Sequence, residues 1–338
     1  MSIKNKKDVS RNDVYKAPFP WFGGKSKVAD VVWSRFGDVG HYVEPFAGSL
    51  AVLLGRHTEP RLETINDADR WITNFWRAVR ADPDGVAYWA NNPVIEDDLT
   101  ARHIYLVKYV MPELAERIPA DPEYYDVKAA GWWVWGICSW IGSNWCSGKG
   151  CWTEVDGRLV KIGGEEVGVN KKRVTLNRGH GVNRQRIDLG PIRGVNRPAI
   201  GLLEWMQALS ARLRRVRICN GDWSRVVTAG AMAHGREVGI FLDPPYSQEN
   251  RKVVYNHDSA DIYRDVLAWC KENGDNRRYR IALCGYEGEH NELKDMGWDV
   301  YRWKAGASYQ TAKADGQNQE NRDKERIWFS PGCLQEKQ

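Results

Sequence analysis

The chain has 338 residues, 42% of them hydrophobic, with 49 Lys and Arg against 44 Asp and Glu and a net charge of +5. This composition lies in the globular range, so it excludes disordered, collagen-like and coiled-coil chains. The seven irregularly spaced Cys exclude a disulfide framework, and the polar, basic N-terminus predicts no secretory signal. We expect a soluble protein of a reducing compartment, with no membrane span.

The first elements alternate between helix and strand. Apolar periodicity predicts helix, strand, helix, strand and helix, in that order, over 25–36, 41–46, 50–55, 61–65 and 71–79. Strands that alternate with helices in this way indicate parallel βαβ units.

The alternation stops at residue 82 and resumes at residue 200. Between them lie two helical patches, 98–110 and 129–141, and then an irregular stretch rich in Gly, Asn and Arg. The later pattern predicts helices over 200–213, 260–271 and 289–296, and strands over 216–219, 238–242, 280–283, 298–303 and 325–329. The sequence therefore predicts an α/β sheet domain (1–81 and 200–335) interrupted by an inserted, mainly helical or irregular domain (82–199).

Positive charge and Trp are concentrated in this inserted domain. Residues 158–197 hold ten basic and three acidic side chains, a net charge of +7, and six Trp lie within residues 132–152. Basic side chains beside aromatic rings suit contact with phosphates and stacking on bases. The spacing of Trp133, Ile137 and Trp140 fits the buried face of a helix equally well, so both roles stay open.

The strongest chemical signal is Asp243-Pro244-Pro245-Tyr246, directly after a predicted apolar strand. Ligands of open α/β sheets bind beyond the carboxyl ends of the strands. A carboxylate, a proline carbonyl and an aromatic plane at that edge would hold an amino group on a flat heterocycle. Taken alone, the four residues favour a strand that is followed by a Pro turn and a packed Tyr.

Three further motifs could line a ligand site, two near the ends of predicted strands and one at the start of a predicted helix. Glu44 lies in the last half of the first predicted strand, before a turn with Gly48. Asp67 lies just after the second predicted strand, where a ribose ligand is usual. Asp67 could instead cap a helix, as could Asn66 or Asp69. Gly24 and Lys25 open the first helix and would bind an anion, although the spacing is not that of a P-loop.

The order of these motifs resembles the Dam-like DNA adenine-N6 methyltransferases, the alpha-group D12 class, of the phage-encoded type. The matching segments are F-P-W-F-G-G-K (19–25), Y-V-E-P-F-A-G-S (42–49), I-N-D (65–67), G-D-W (221–223) and D-P-P-Y (243–246). The resemblance implies a Rossmann-like sheet, S-adenosylmethionine as cofactor and double-stranded DNA as partner. It also implies an inserted target-recognition domain and an adenine that is flipped out of the duplex.

The resemblance assigns roles to residues in three groups. It implies catalysis by Asp243, Pro244, Pro245 and Tyr246. It implies cofactor binding by Trp21, Gly24, Lys25, Glu44, Phe46, Gly48, Asp67, Asp222 and Asp243. Candidate DNA contacts are Trp145, Lys171, Lys172, Arg173, Arg178, Arg184, Arg186 and Arg251.

Several alternatives remain at this point. The same fold could methylate cytosine N4, an RNA adenine or a glutamine amide, or the chain could be a DNA-binding protein without activity. Cys138, Cys146, Cys151 and His180 could bind zinc, but they lack the usual spacing, so we expect no metal. We expect a bacterial or phage-infected host cytoplasm and no obligate protein partner, and the biological setting, restriction-modification included, stays open.

Overall fold

A computed structural model describes residues 15–21, 24–140, 145–146, 152–155, 158–161, 201–246, 262–303 and 324–335, with backbone alone for 152–155 and 158–161. Within these residues, no helix is long and apolar enough to cross a membrane.

Seven of the described strands form one sheet in the order β5-β2-β1-β6-β7-β9-β8. Their bounds are His41–Glu44 (β1), Leu62–Asp67 (β2), Val216–Asn220 (β5), Val238–Leu242 (β6), Tyr279–Tyr286 (β7), Asp299–Arg302 (β8) and Glu325–Phe329 (β9). The strands Trp152–Val155 (β3) and Arg158–Lys161 (β4) form a separate antiparallel pair.

The direction of the strands decides which residues share an edge. β5, β2, β1, β6 and β7 pair in parallel, whereas β9 runs antiparallel to both β7 and β8. The first residue of β9 therefore lies at the same edge as the last residues of the parallel strands. The chain order reverses between β1 and β6, and such a switch point opens a crevice for a ligand.

The helices cover the sheet and extend into the predicted insertion. Short 3-10 turns span Lys25–Lys27 and Trp223–Val226, and α-helices span Ala29–Phe36, Ala51–Leu54, Arg70–Ala81, Pro83–Ala90, Glu96–Tyr105, Met111–Ala120, Val127–Ser139, Leu202–Leu213, Ile262–Asn273 and Glu292–Asp295. A π-helical segment, Leu106–Val110, joins two of these helices into one longer rod.

Two apolar clusters form the core. One lies around Val43, Ile240 and Trp328. The other is continuous from Phe36 beside the sheet to Trp133 in the helix Val127–Ser139. The first helices of the predicted insertion thus bury their apolar faces against the sheet domain's own helices.

The predicted elements agree with this fold in type and differ mainly at their ends. The strands predicted over 238–242 and 325–329 have those bounds in the structure, whereas the first strand ends at Glu44 rather than residue 46. Among the helices and strands, three features were not predicted: the helix Pro83–Ala90, the β3–β4 pair and the helix Met111–Ala120, which contains Pro112 and Pro119. The first begins with Pro, Asp and Gly, which resemble a turn, and the second lies where the sequence shows no periodicity.

Candidate active site

The predicted site residues come from three separate segments and meet at the switch point of the sheet. Glu44 is the last residue of β1, Asp243 directly follows β6, and these two strands are neighbours. Lys25 reaches the same edge from the 3-10 turn that precedes the first helix. The sheet topology therefore brings together motifs that lie more than two hundred residues apart in the sequence.

Lys25 is the centre of this cluster. Its Nζ lies 2.9 Å from Asp243 Oδ2 and donates a hydrogen bond of 3.0 Å to the Tyr246 hydroxyl. The ammonium also lies 5.5 Å from the Tyr246 ring centroid and 5.8 Å from that of Trp303, within the range of cation–π attraction. Only 5% of the Lys25 side chain is exposed, so these contacts replace its hydration.

A second carboxyl group, that of Glu325, completes the cluster. Its Oε2 lies 2.9 Å from the Tyr246 hydroxyl, which itself lies 3.1 Å from Asp243 Oδ1. The sequence predicts the strand that begins at Glu325 but gives no sign that Glu325 belongs to the site. The strand direction, which periodicity does not encode, places it there: an acid at the start of antiparallel β9 pairs in register with Tyr286 at the end of β7.

The ionisation of the cluster follows from burial and charge. Burial by itself lowers the pKa of Lys25, but the carboxylates of Asp243 and Glu325 outweigh it and leave this pKa raised. Burial raises the pKa of Tyr246 well above its usual value. Burial also raises the pKa of Glu325, an effect that the Lys25 ammonium opposes. Two carboxyl groups thus share one cation, so acidic side chains outnumber basic ones in the site.

Glu44 adds to this acidity. It is buried, and its Oε2 accepts a hydrogen bond of 3.0 Å from the Tyr42 hydroxyl. Burial raises the pKa of Glu44 well above its ordinary value, and the nearby Asp243 charge raises it further. The crevice therefore disfavours additional negative charge and would accept a cationic group.

The turn after β1 is shaped by Gly48. Its φ is +45°, and a Cβ added there would lie 2.5 Å from Cδ1 and Nε1 of Trp21. Trp76 Nε1 donates to the Gly48 carbonyl over 3.0 Å. The predicted cofactor residues Trp21 and Gly48 are therefore in direct contact, and this contact depends on the missing side chain.

Asp67 lies beside this turn and is not the cap of the following helix. Its carboxylate accepts from the backbone N–H groups of Gly48 and Asp69, each over 2.9 Å. The helix Arg70–Ala81 is capped by Asp69, whose Oδ1 accepts from the Trp71 N–H over 2.8 Å. Burial raises the pKa of Asp67 to about 7, despite the two N–H donors. The helix-capping alternative for Asp67 is thus wrong.

Asn66 and the segment after β5 close this side of the crevice. Asn66 Nδ2 donates to the carbonyls of Pro45 and Gly221 over 3.1 and 2.9 Å, which ties three strand ends together. The Phe46 and Trp223 rings lie nearly parallel, with centroids 6.1 Å apart. Asp222 caps the turn Trp223–Val226 by accepting from the Ser224 N–H over 2.9 Å through Oδ1.

The candidate DNA contacts fall into two groups. Trp145 is buried, its Nε1 donates to the Trp133 carbonyl over 3.0 Å, and its ring lies against Gly136 and His103. This burial favours the core role of Trp145 over base stacking. The other candidates lie outside the described residues: Lys171, Lys172, Arg173, Arg178, Arg184, Arg186 and Arg251.

The cysteines have no metal-site geometry in the described part of the chain. Cys138 and Cys146 are buried free thiols whose pKa is raised by burial. No three His, Cys, Asp or Glu side chains come together as a metal site among the described residues. Cys151 and His180 lie outside them.

Comparison with known protein families gives one match. Residues 21–127 match the model of the family described as D12 class N6 adenine-specific DNA methyltransferase. The match confirms the resemblance drawn from the motifs and the expected enzyme class, an adenine-specific DNA methyltransferase. The mostly parallel seven-stranded sheet is consistent with the expected Rossmann-like methyltransferase fold. No curated protein matches the chain.

Proposed function

Because the D12 class match includes Lys25, Glu44 and Asp67, we propose that the protein transfers a methyl group from S-adenosylmethionine to the N6 amine of a flipped adenine in DNA, sequence-specifically. One observation carries this proposal. Lys25, inside the matched segment, lies 2.9 Å from Asp243, which lies outside it and begins the D-P-P-Y motif. The geometry thus joins the two halves of the proposed machinery in one crevice.

The residues along the crevice suit the cofactor. S-adenosylmethionine supplies a methyl group on a positively charged sulfonium, and a crevice with an excess of carboxyl groups favours a cation. Lys25 and Trp21 would hold its amino-acid end, and Asp67 would accept from the ribose hydroxyls. Asp222 would accept from the adenine amine. Gly24, Glu44, Phe46, Gly48 and Asp243 would complete the pocket.

The residues of the D-P-P-Y motif suit the target. Asp243 and the Pro244 carbonyl would accept the two N6 hydrogens, which concentrates electron density on the nitrogen that attacks the methyl group. Pro245 fixes the turn, and the Tyr246 ring would stack on the base. Catalysis then rests on positioning and on preorganised charge. Extrusion of the adenine from the duplex costs a few kcal/mol, which DNA contacts must offset.

The DNA partner would be held mainly by the predicted insertion. The basic segment 158–197, with its net charge of +7, supplies the expected contacts to phosphates, and Arg251 would add one from the catalytic domain. Such binding weakens steeply as salt concentration rises. We further propose that double-stranded DNA is the substrate, that no second protein is required and that the enzyme acts in a bacterial or phage-infected cytoplasm.

The decisive experiment compares Asp243→Asn with the wild type. The full-length protein is incubated with duplex DNA and labelled S-adenosylmethionine, and the digested nucleosides are identified by mass spectrometry. We expect N6-methyladenine from the wild type and at least about a 100-fold lower rate from Asp243→Asn, because the amide lacks the acceptor charge. Asp295→Asn, on an exposed helix, is the matched control and should retain full activity.

The same digest separates the alternatives. Detection of methylcytosine, or of methyladenine from RNA alone, would show that the enzyme methylates a different amine. Binding of S-adenosylmethionine without a methylated product on DNA, RNA or protein would identify an inactive DNA-binding protein and contradict the proposal.

A further inference from the structure

The Tyr246 hydroxyl bridges two carboxyl groups. It lies 3.1 Å from Asp243 Oδ1 on one side and 2.9 Å from Glu325 Oε2 on the other. It also accepts a hydrogen bond of 3.0 Å from Lys25 Nζ. Because a hydroxyl has one hydrogen, it donates to one carboxylate at a time. Three oxygen-bearing groups thus form a continuous hydrogen-bonded line from Asp243 to Glu325.

The proposed reaction releases a proton at one end of this line. When the N6 nitrogen takes the methyl group, it still carries both of its hydrogens and gains a positive charge. One N–H bond must break, its electron pair stays on nitrogen, and the proton forms an O–H bond on the Asp243 carboxylate. Asp243 is 17% exposed, and it must lose this proton before it can accept from another adenine.

We propose that Glu325 receives this proton from Asp243 through the Tyr246 hydroxyl. The O–H bond of Asp243 breaks as its proton joins the Tyr246 oxygen, and the original hydroxyl proton of Tyr246 passes to Glu325. Tyr246 is therefore neutral before and after the transfer, Asp243 is a carboxylate again, and Glu325 is a carboxylic acid. This inference rests on the proposed methyl transfer and extends it to the fate of the proton.

The groups around Glu325 support this direction of transfer. Lys25 carries an ammonium without a lone pair, and its raised pKa keeps it in that form, so it donates to the line and does not accept. Tyr246 stays protonated because burial raises its pKa. Burial raises the pKa of Glu325 above its ordinary value, which makes it a better proton acceptor than an exposed carboxylate.

The pKa of Glu325 depends on the titratable groups that surround it. The titratable groups that face it are Lys25, Asp243, Tyr246, Cys284 and Glu289. Glu289 is partly exposed, and its charge raises the pKa of Glu325 further. Below its pKa, Glu325 is already protonated and cannot accept.

The test uses two variants that break the line at different atoms. Tyr246→Phe keeps the ring for stacking and removes the hydroxyl, and Glu325→Gln keeps the shape of the side chain and removes the acceptor. Each variant and the double variant are compared with the wild type in a first-turnover and in a multiple-turnover methylation assay across pH 5–9. Glu287→Gln, an exposed acid on the same edge, is the matched control.

For Glu325→Gln we expect the first turnover to stay within about threefold of the wild type, while later turnovers slow by at least tenfold. Tyr246→Phe should slow later turnovers by at least tenfold relative to its own first turnover. The double variant should be no slower than the single ones, because both changes break one line. The wild-type multiple-turnover rate should rise with pH as Glu325 ionises, and Glu325→Gln should lose this step. In Glu325→Gln, the binding of S-adenosylmethionine, measured by calorimetry, and the melting temperature should be retained.

Other outcomes overturn the proposal. An unchanged multiple-turnover rate and pH profile in Glu325→Gln would show that the proton leaves by another route. An equal loss in the first turnover, or additive losses in the double variant, would make Glu325 a group that merely holds the site together. A wild type that methylates no adenine in DNA would instead refute the proposed function, and the proposed proton transfer would be refuted with it.

Discussion

At the scale of single residues, burial sets the properties of the site more than residue type does. Asp67 and Asp222 were both predicted to bind the cofactor, and both are aspartates at a strand end. Burial raises the pKa of Asp67 to about 7, although two backbone N–H groups donate to its carboxylate. Asp67 is thus an acid whose charge changes near neutral pH, a property that its position in the sequence does not disclose.

This pKa leads to a prediction about cofactor affinity. Only the ionised Asp67 carboxylate can accept from both ribose hydroxyls, so S-adenosylmethionine should bind more weakly as the pH falls through 7. For a group with a pKa of about 7, the dissociation constant should rise about tenfold from pH 8 to pH 6. Isothermal titration calorimetry across this range measures it.

The control for this prediction is Asp67→Asn. This variant should bind weakly at every pH, with no step near pH 7. A wild type whose affinity stays constant from pH 8 to pH 6 would show that Asp67 does not hold the cofactor in its ionised form.

At the scale of elements, the turn between β1 and the helix Ala51–Leu54 joins the fold to the site. It contains two residues of positive φ, Gly48 at 45° and Leu50 at 58°. The conformation of Leu50 is unfavourable for a residue with a side chain, and its full burial in the core offsets that cost. The turn thus fixes where the Trp21 ring lies.

Gly48→Ala should damage this turn in two ways. The positive φ should reduce the free energy of unfolding by about 1–2 kcal/mol. The new methyl group would also displace the Trp21 ring, which lies 2.5 Å from the ideal Cβ position, so cofactor binding should weaken. Urea unfolding and calorimetry measure the two effects separately.

Gly288→Ala is the matched control for Gly48→Ala. Gly288 has a φ of +96° and no atom within 4 Å of an ideal Cβ, so the substitution carries backbone strain without a clash. It should lose stability and retain cofactor affinity. Equal affinities in the two variants would mean that the Trp21 contact does not matter for binding.

The strands also mark the limit of prediction from sequence. Apolar patterns located β6 and β9 with the bounds that the structure has, because both are continuous buried runs. The same pattern would be seen in a strand of either direction, so the antiparallel course of β9 could not be predicted. Glu325 was missed for that reason, whereas Lys25, Glu44 and Asp243 were found because their motifs carry chemistry in the local sequence.

At the scale of the whole molecule, a buried cluster of charges links the segments on either side of the predicted insertion. Glu63 on β2 accepts from Arg212 Nη1 over 2.6 Å and Nη2 over 2.9 Å, and from Arg56 Nη1 over 3.2 Å. Arg212 lies in the helix Leu202–Leu213, the first described element after the insertion. Glu63, Arg56 and Arg212 are all buried.

Glu63→Gln should therefore destabilise the protein strongly. The amide removes the carboxylate that pairs with the buried Arg212 guanidinium and leaves Arg56 with Asp38 alone, 3.5 Å from its Nη2. Removal of one partner from a buried ion pair costs about 3–5 kcal/mol. Urea unfolding should show this loss as a lower midpoint. Glu113→Gln is the matched control, because Glu113 forms an exposed pair with Arg117 and should cost little. Similar losses in both variants would show that burial adds nothing to the cluster around Glu63.

The position of β9 inside the sheet has a consequence for chains that are cut or incompletely made. β9 lies between β7 and β8, so the sheet cannot form its full set of hydrogen bonds without residues 325–329. The same short segment brings Glu325 to the Tyr246 hydroxyl. A fragment that ends before it would keep the residues proposed for cofactor and target but would lack both a finished sheet and the proton acceptor. Completion of the sheet and the proposed proton transfer thus depend on the same five residues.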